Sequence, residues 1–312
     1  MWDLFPVIKE ELAAFEDYLG TKLASRNNFL ETASKNVVLS GGKRLRPAFT
    51  IIAALHGDYN REHVFPAAAS VEILHSATLV HDDIIDNAKT RRGQPTLSVK
   101  HSNNLAVYTG DYLLAKSLRL LLETGLKPEK LDVVARAVSL LCEGEVDQYL
   151  SKHALASVNH YLKRVIGKTG VLFSASLVLG AKTANLSDDT TRLLGRFGSS
   201  FGAAFQIRDD LLDLLSNQKS EGKPVMNDLK EGIATLPVIL AVKNNAKLKE
   251  QVEEFFAGHS NINDLLGNII ASGGIKDAER LKNRYIAKCR TYLEKIPHTP
   301  FTGALSEIVD WL

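Results

Sequence analysis

The sequence predicts an all-α protein, because three observations indicate helices and none indicates strands. Apolar residues recur at steps of three and four along much of the 312-residue chain, which places them on one face of a helix. Residues 65–80, 105–122 and 171–181 are apolar nearly all round, as the central helices of a large helical domain are. No stretch shows a convincing strand-like alternation of apolar and polar residues, and no Asn-Gly or Asp-Gly turn joins two apolar runs.

The predicted helices are separated by short turns. The clearest apolar stripes lie near the two ends of the chain, and their members are Ile8, Leu12, Phe15, Leu19 and Leu23; Ile262, Leu265, Leu266, Ile269 and Ile270; and Ala278, Leu281, Tyr285, Cys289 and Tyr292. Glycine and proline mark the turns at residues 41–42, 56–58, 92–95, 127–128 and 273–274. The long polar stretch from Ser216 to about Thr235 predicts a functional or disordered loop. Because no flexible linker divides the chain, we expect a single domain over residues 1–312.

Composition excludes several classes of protein. With 45% hydrophobic and 24% charged residues the chain is too apolar to be disordered, and a net charge of +2 gives no support to nucleic-acid binding. Two cysteines, Cys142 and Cys289, cannot build a disulfide framework. No apolar run approaches the roughly 18 residues of a membrane span, and no basic segment opens a signal peptide. We therefore expect a cytoplasmic protein.

Two acidic clusters share the form D-D-x-x-D: residues 82–86 and residues 209–213. In each, the first and last aspartate are four residues apart, on one face of the predicted helix, where like charges destabilise it. Their apolar flanks disfavour the alternative of two solvent-facing helix ends. A cation would neutralise buried carboxylates, and Mg²⁺ with several oxygen ligands commonly bridges to substrate phosphates. The pair therefore predicts a magnesium site for a phosphorylated substrate.

Basic and polar groups that could hold such a substrate occur at several places. The segment Gly41–Pro47 offers glycine backbone and two cations at a helix start, and Arg91-Arg92 follows the first cluster closely. Further candidates are Lys168, Thr169, Lys223 and His75. Taken alone, each basic turn has the alternative of being solvated and without a ligand, and His75 has the alternative of being an ordinary core histidine.

Taken in order, these motifs resemble the trans-isoprenyl (polyprenyl) diphosphate synthase family over about residues 30–290. The subgroup most similar is that of the large catalytic components (component II) of heptaprenyl diphosphate synthases, by Ser102-Asn103, residues 108–112, Glu143-Gly144-Glu145, Asp228-Leu229 and residues 235–237. The resemblance implies a helical isoprenoid synthase domain with a central cavity. It also implies Mg²⁺-dependent condensation of an allylic diphosphate, such as farnesyl diphosphate, with isopentenyl diphosphate.

The resemblance also assigns roles to individual residues. Catalysis falls to Asp82, Asp83, Asp86, Lys168, Asp209 and Asp210. Three Mg²⁺ ions, with substrate bound, would be held mainly by Asp82, Asp86 and Asp209, supported by Asp83, Asp210 and Asp213. Isopentenyl diphosphate would be bound by Gly42, Lys43, Arg46, His75 and Arg92. The allylic diphosphate would be bound by Arg91, Lys168, Thr169, Gln206 and Lys223.

Product length in the family depends on the two residues four and five positions before the first aspartate, here Thr78 and Ala77. Both are small, which implies a long product of about C30 to C40, with heptaprenyl favoured, destined for a quinone such as menaquinone. The resemblance further implies a homodimer, or a heterodimer with a small component I subunit, and transient membrane association for product release.

Two departures from the family pattern bear on these expectations. Gly232-Ile233 stands where many relatives carry Lys or Asn after the glycine, and no basic tail follows Asp310. The alternatives are a shorter-chain synthase for farnesyl or geranylgeranyl diphosphate, a class I terpene cyclase, a non-catalytic subunit of a prenyl synthase complex, and a helical scaffold. The second D-D-x-x-D and the segment Gly41–Arg46 argue against the cyclase, which usually lacks both, and two intact clusters argue against the non-catalytic subunit.

Overall fold

The computed structural model describes residues 2–215, 226–259 and 262–312, and these are almost entirely helical. The α-helices are α1 (Pro6–Lys22), α2 (Asn28–Val38), α3 (Leu45–Ala54), α4 (Arg61–Ile85), α5 (Leu97–Lys100), α6 (Asn103–Glu123), α7 (Pro128–Leu150), α8 (Val158–Val165), α9 (Val171–Thr183), α10 (Asp188–Leu215), α11 (Asn227–Lys230), α12 (Leu236–Asn244), α13 (Lys247–Phe256), α14 (Ile262–Ala271), α15 (Gly274–Leu293) and α16 (Thr302–Asp310). The predicted all-α class is therefore confirmed.

The chain divides into two compact units. Unit 1 comprises residues 1–134, 175–195 and 296–307, and unit 2 comprises residues 135–174, 196–295 and 308–312. Four of the described helices, α7, α9, α10 and α16, each begin in one unit and end in the other. The single domain expected from the sequence stays a prediction.

Helix α4 is the centre of unit 1. Asn60 caps it by accepting a hydrogen bond from the Glu62 backbone N–H, which stabilises the first turn. From Val64 to Val80 nearly every side chain is buried, as the apolar sequence predicts, and the helix packs against α3 and α6. Its end at Ile85 places the first aspartate cluster in the last turn.

Helix α6 corrects one expectation. The sequence is apolar nearly all round and predicts a central helix, but one face is exposed: Tyr108 is 64% and Leu122 77% accessible. Helix α7 also ends on exposed apolar residues, with Leu150 76% accessible. Periodicity cannot separate a buried face from an apolar face that a single chain leaves uncovered.

Unit 2 has its own apolar core, built on α10, α12 and α15. The predicted stripe of α15 is confirmed by the burial of Ala278, Tyr285 and Cys289. In α14, Leu265 and Ile269 are buried, whereas Ile270 is half exposed.

Two further expectations are corrected. No strand is predicted, yet residues 90–95 form a small antiparallel hairpin, β1 (Thr90–Arg91) paired with β2 (Gln94–Pro95), around the predicted turn. The sequence also predicts no apolar run of membrane-spanning length, but the continuous helical stretch Val158–Thr183 is long and apolar enough to cross a membrane by length and composition alone. Because 61% of its most apolar window is buried inside the protein, it is also typical of a core helix.

Gly180 allows α9 to lie directly against α3 in unit 1. A Cβ atom at this position would lie 2.0 Å from the Thr50 carbonyl oxygen, which is backbone and cannot rotate away. We expect Gly180→Ala to lower the free energy of unfolding by about 3 kcal/mol, since the helices must separate. Denaturant unfolding measures this.

The matched control is Gly20→Ala on α1, where nothing lies within 4 Å of the new Cβ. It should stabilise by about 0.5–1 kcal/mol, because alanine loses less backbone entropy than glycine on folding. Equal stabilities of the two variants would contradict the close approach of α3 and α9.

Candidate active site

The first aspartate cluster occupies the last turn of α4. Asp86 is the C-cap residue that follows Ile85, and its backbone N–H donates to the Asp82 carbonyl at 2.8 Å, so the two residues lie one turn apart as predicted. Asp82 is half-buried, Asp86 is exposed and Asp83 is buried. The cluster thus presents two carboxylates at the helix end and one within unit 1.

A cavity of about 310 Å³ in unit 1 brings predicted and unpredicted site residues together. Its charged and titratable lining residues are Arg44, Glu72, His75, Asp83, Arg91, Arg92 and Lys100. Leu79, Val80 and Leu97 supply apolar wall. The excess of cations makes this cavity suited to an anion such as a diphosphate.

His75 lies within this cationic environment. Burial lowers its pKa well below the usual value, and the nearby charges of Arg46, Arg92, Arg91 and Arg44 lower it further. The imidazole is therefore neutral at pH 7, with one N–H to donate. Burial also lowers the pKa of Arg46 to about 10, against the opposing charge of Glu72, so this guanidinium remains charged.

The two arginines of the hairpin have different partners. The Nε and Nη2 atoms of Arg91 lie 2.8 and 2.7 Å from Asp83 Oδ1, a pair that fixes the hairpin to α4. Arg92 donates to the Ser40 hydroxyl at 3.0 Å and to the Gly41 carbonyl, and its guanidinium lies against Gly42. The structure thus joins Arg92 to the glycine segment that precedes Lys43, which is itself exposed.

Glu72 is a site residue that the sequence reasoning missed. Its buried carboxylate accepts a 2.8 Å hydrogen bond from Arg44, which also pairs with Glu16 of α1. Arg44 has a left-handed backbone (φ 49°) just before α3, so this pairing fixes the conformation from which Lys43 and Arg46 project. The signal was available, because Glu72 is the one carboxylate in the apolar run 65–80.

The second half of the predicted site lies in unit 2. Residues Ile166–Gly170 form a π-helical turn between α8 and α9, a feature often found at functional sites. Within it, Lys168 forms a 2.8 Å ion pair with Glu145, and Thr169 donates to the Gln206 side-chain oxygen at 2.9 Å. Glu145 is a second residue to which sequence reasoning gave no role.

Close backbone packing brings Thr169 and Gln206 together. A Cβ atom on Gly202 of α10 would lie 2.5 Å from the Cα atom of Gly170, so two glycines are needed at this crossing. Thr169, next to Gly170, and Gln206, one turn after Gly202, are then close enough to hydrogen-bond directly.

Asp210 is the buried member of the second cluster. Its carboxylate accepts hydrogen bonds from the Tyr161 hydroxyl and from Gln206 Nε2, the latter at 3.0 Å. Burial raises its pKa, and both hydrogen bonds oppose that shift. Asp209 is half-buried. Tyr161 is thus a third residue that sequence reasoning missed.

Asp213 organises the chain that follows the undescribed residues 216–225. Its carboxylate oxygens accept from the backbone N–H groups of Asn227 (3.2 Å) and Asp228 (3.4 Å) at the start of α11. Asp228 is the fourth unpredicted residue: burial, together with the charges of Asp210 and Asp213, raises its pKa to about 7. Lys223 lies outside the described residues, so its predicted role is not addressed.

The carboxylates suit a metal that is shared with substrate. In the described ranges, no three His, Cys, Asp or Glu side chains converge into a site complete on protein ligands alone. Mg²⁺ usually keeps several waters and is bound through one or two carboxylates together with substrate phosphates. In unit 1 the carboxylates of Asp82 and Asp86 suit this manner of binding, and in unit 2 that of Asp209 does.

An all-α fold that carries paired aspartate clusters, with cations and hydrogen-bond donors in the same units, defines a prenyltransferase acting on diphosphates. Comparison with known proteins gives the particular family. The model of the polyprenyl synthetase family matches residues 27–270, and the chain belongs to this family of trans-prenyl diphosphate synthases.

Individual relatives cover nearly the whole chain. Heptaprenyl diphosphate synthase component 2 of Geobacillus stearothermophilus is 35% identical, over 98% of this chain and 96% of its own. A geranylgeranyl diphosphate synthase of Sulfolobus acidocaldarius is 38% identical over 73% of this chain and 74% of its own. The crystal structure of a Caulobacter crescentus polyprenyl synthase, complexed with calcium and isoprenyl diphosphate, has a TM-score of 0.90 at 30% identity, covering 99% and 95% of the two chains. The family uses a divalent metal, and its relatives differ in product length.

Proposed function

We propose that the protein elongates an allylic diphosphate with isopentenyl diphosphate, in the presence of Mg²⁺, to an all-trans polyprenyl diphosphate of about C30 to C40, with heptaprenyl favoured. The observation that carries the proposal is the cationic cavity of unit 1 beside the first aspartate cluster. Its neutral His75 lies among the charges of four arginines, which is the environment that a diphosphate requires.

Each residue has a proposed task. Lys43, Arg46, Arg92 and a donating His75 bind isopentenyl diphosphate, with Gly42 backbone beside them. Lys168, Thr169 and Gln206 bind the allylic diphosphate, together with Arg91, in roles carried over from the family. Asp82 and Asp86 in unit 1, and Asp209 in unit 2, would hold Mg²⁺ ions, which would supply charge stabilisation to the departing diphosphate. Apolar walls keep water from the carbocation that remains.

The buried carboxylates have supporting tasks in this proposal. Asp83 orients Arg91, and Asp210 orients Gln206. Both aspartates thus hold side chains that contact substrate and do not contact it themselves. Asp213 fixes the start of α11.

The experiment that tests the function uses the purified chain with Mg²⁺, farnesyl diphosphate and labelled isopentenyl diphosphate, followed by sizing of the products. Products that contain six to eight isoprene units in total, counting the three of farnesyl diphosphate, support the proposal. A cyclic hydrocarbon formed from farnesyl diphosphate alone, or a product no longer than geranylgeranyl diphosphate, contradicts it.

Ala77 and Thr78 are proposed to set product length. Ala77 is 2% exposed on α4, five residues before Asp82, and therefore has no room for a larger side chain without displacing its surroundings. Ala77→Phe is expected to shorten the main product formed from farnesyl diphosphate to about C20, because an aromatic ring would stop the growing chain early. Thin-layer chromatography of the dephosphorylated products measures this.

Ala77→Ser is the matched control, since it adds a single oxygen atom and should leave the product distribution nearly unchanged. An unaltered product ladder in the phenylalanine variant would refute the role of Ala77.

The exposed apolar faces of α6 and α7 support an assembled form. Tyr108, Leu118 and Leu122 project from α6 at 49–77% exposure, which is unusual for aromatic and aliphatic side chains that face only water. We propose that these faces are covered in a homodimer, or in a heterodimer with a small component I subunit. Assaying the chain alone and with such a subunit, with the molar mass measured by light scattering, separates the two.

We further propose that the protein acts in the cytoplasm and supplies the side chain of a quinone such as menaquinone, with transient membrane association for product release. The support is that both substrates are water-soluble diphosphates, whereas the product carries a long apolar chain.

A further inference from the structure

Two acidic residues lie on the cavity face of α4, and each holds a neighbouring segment through an arginine. Asp83 pairs with Arg91 of the hairpin. Glu72, about three turns earlier on the same face, is 6% exposed and lies 2.8 Å from Nη1 of Arg44, in the glycine segment (Gly41–Pro47). Both carboxylates line the cavity. Helix α4 thus fixes the position of the two segments that supply the cations proposed for isopentenyl diphosphate.

Arg92 joins these two segments to each other. Nη1 of its guanidinium donates to the Ser40 hydroxyl at 3.0 Å and to the Gly41 carbonyl. The contacts therefore close a ring, which runs from α4 through Glu72 to the glycine segment, through Arg92 to the hairpin, and through Asp83 back to α4. A ring of this kind fixes both segments relative to α4.

Two members of the ring have a backbone that is unfavourable for their residue type. Arg44 and Arg92 are both left-handed, with φ angles of 49° and 50°. A non-glycine residue in this region costs conformational energy and persists only where the surrounding interactions hold it. For Arg44 these interactions are the salt bridges to Glu72 and to Glu16 of α1. The conformation of the glycine segment thus depends on the carboxylates that hold Arg44.

The Arg44 guanidinium is engaged by carboxylates on two sides. Its Nε and Nη2 atoms donate to Glu16, and its Nη1 atom donates to Glu72. Burial lowers the pKa of Arg44, but the hydrogen bonds and charges of the two glutamates raise it above its usual value, so the side chain stays charged. Arg44 thus links the glycine segment to α1 and α4, which is a different task from binding substrate.

Glu72 also has an effect that opposes the binding of an anion. Burial lowers the pKa of Arg46 and of Arg92, and the charge of Glu72 opposes that shift in both, so this charge is felt by cations proposed to bind substrate. A buried negative charge near these cations repels a diphosphate. Glu72 therefore favours binding only if the effect of holding the glycine segment outweighs this repulsion.

We propose that Glu72 is a positioning residue for the isopentenyl diphosphate site: through Arg44 it holds the glycine segment in the conformation that presents the cations of this segment to the substrate. Those cations are Lys43 and Arg46, so the inference deepens the proposed function and rests on the role given to them there. It predicts that removal of an acidic side chain beside an anion site weakens anion binding.

The first test measures anion binding without turnover. Isothermal titration calorimetry with inorganic diphosphate, in the absence of Mg²⁺, gives a Kd to which the metal-dependent allylic site does not contribute. Glu72→Gln keeps the shape of the side chain and removes its charge. It should raise this Kd about tenfold, because the binding-competent conformation of the glycine segment becomes less populated. Repulsion alone predicts a lower Kd, so the direction of the change is decisive.

Glu11→Gln is the matched control. Like Glu72, Glu11 is a buried glutamate of unit 1, and it pairs with Arg61 at 2.7 Å, again between α1 and α4. It is not among the residues that line the cavity. Its substitution should lower the Tm and leave the Kd for inorganic diphosphate within about twofold of the original.

Arg44→Lys tests the same link from its other side, with the net charge unchanged. A lysine ammonium lacks the planar fork with which the guanidinium contacts Glu16 and Glu72 together. The Kd for inorganic diphosphate should therefore rise about fivefold or more. Because both glutamates remain in this variant, it serves the test even if Glu72→Gln does not fold.

Steady-state kinetics separates positioning from a loss of folded protein. Glu72→Gln should raise KM for isopentenyl diphosphate about tenfold and lower kcat by a smaller factor. KM for farnesyl diphosphate should change by about twofold or less, because Lys168, Thr169 and Arg91 are held by other partners. A variant that was only less completely folded would lose kcat and keep both KM values.

The outcomes separate this inference from the proposed function. A Kd for inorganic diphosphate that falls or stays unchanged in Glu72→Gln overturns the inference, as does an equal rise in Glu11→Gln or an unchanged Kd in Arg44→Lys. An original protein that does not bind inorganic diphosphate, or an Arg46→Gln variant that binds it equally well, overturns the proposed site and the inference with it. If Arg46→Gln loses binding while Glu72→Gln behaves like the original, only the role of Glu72 is lost.

Discussion

Asp82→Asn is expected to lower kcat/KM for isopentenyl diphosphate condensation about 10³-fold, the size of effect seen when one stabilising group is removed from a transition state. The change keeps the shape of the side chain and removes its charge. Asp82 is only half-buried at the end of α4 and asparagine has nearly the same volume, so the Tm should move by less than about 2 °C. Labelled isopentenyl diphosphate incorporation and calorimetry measure the two quantities.

Asp58→Asn is the control for Asp82→Asn, because it removes an equal charge from an exposed position just before α4. Its activity should be within about twofold of the original. If Asp82→Asn retained full turnover, the first cluster would not be the metal site. If its activity fell in parallel with its Tm, the residue would be structural.

Asp209 and Asp210 are adjacent in sequence but should respond in opposite ways to substitution. Asp209→Asn is expected to lower kcat/KM about 10³-fold with little change in stability. Asp210→Ala is expected to lower the free energy of unfolding by about 2–3 kcal/mol, because it leaves the buried Tyr161 hydroxyl and the Gln206 amide without their acceptor. Denaturant unfolding and steady-state kinetics on both variants test this contrast.

The matched control for the pair is Asp189→Asn, which changes the same residue type in the exposed first turn of α10. Neither activity nor stability should change measurably there, since exposed ion pairs contribute little. Two variants that lost activity equally, with equal stabilities, would show that both carboxylates act on the metal and that the buried position of Asp210 has no structural consequence.

The sequence predicted the helices well because their period is local. The stripe of α15 and the buried run of α4 follow from apolar residues at helical spacing, and the structure buries both. Helix α6 was misjudged for the same reason: composition shows that a face is apolar but does not show whether the same chain covers it. The short hairpin at residues 90–95 escaped prediction because two-residue strands carry no alternation.

The candidate site was predictable where its residues occur in motifs of recognisable spacing along the chain. Two D-D-x-x-D clusters at helical spacing and cations near glycine turns identified the candidate residues, and the resemblance supplied their proposed roles. The partners of those residues were not visible. Glu72, Glu145 and Tyr161 are 23–49 residues distant in sequence from the side chains they contact.

The sequence by itself therefore determined the helical class, the family and the residue types of the site, because periodicity and motif spacing are properties of neighbouring residues. Only the tertiary structure decided which members of each cluster face inward. Burial and a hydrogen-bond partner from a distant helix commit Asp83 to Arg91 and Asp210 to Tyr161, while Asp82 and Asp209 stay partly exposed. That division depends on packing between segments far apart in the chain, which no local pattern records.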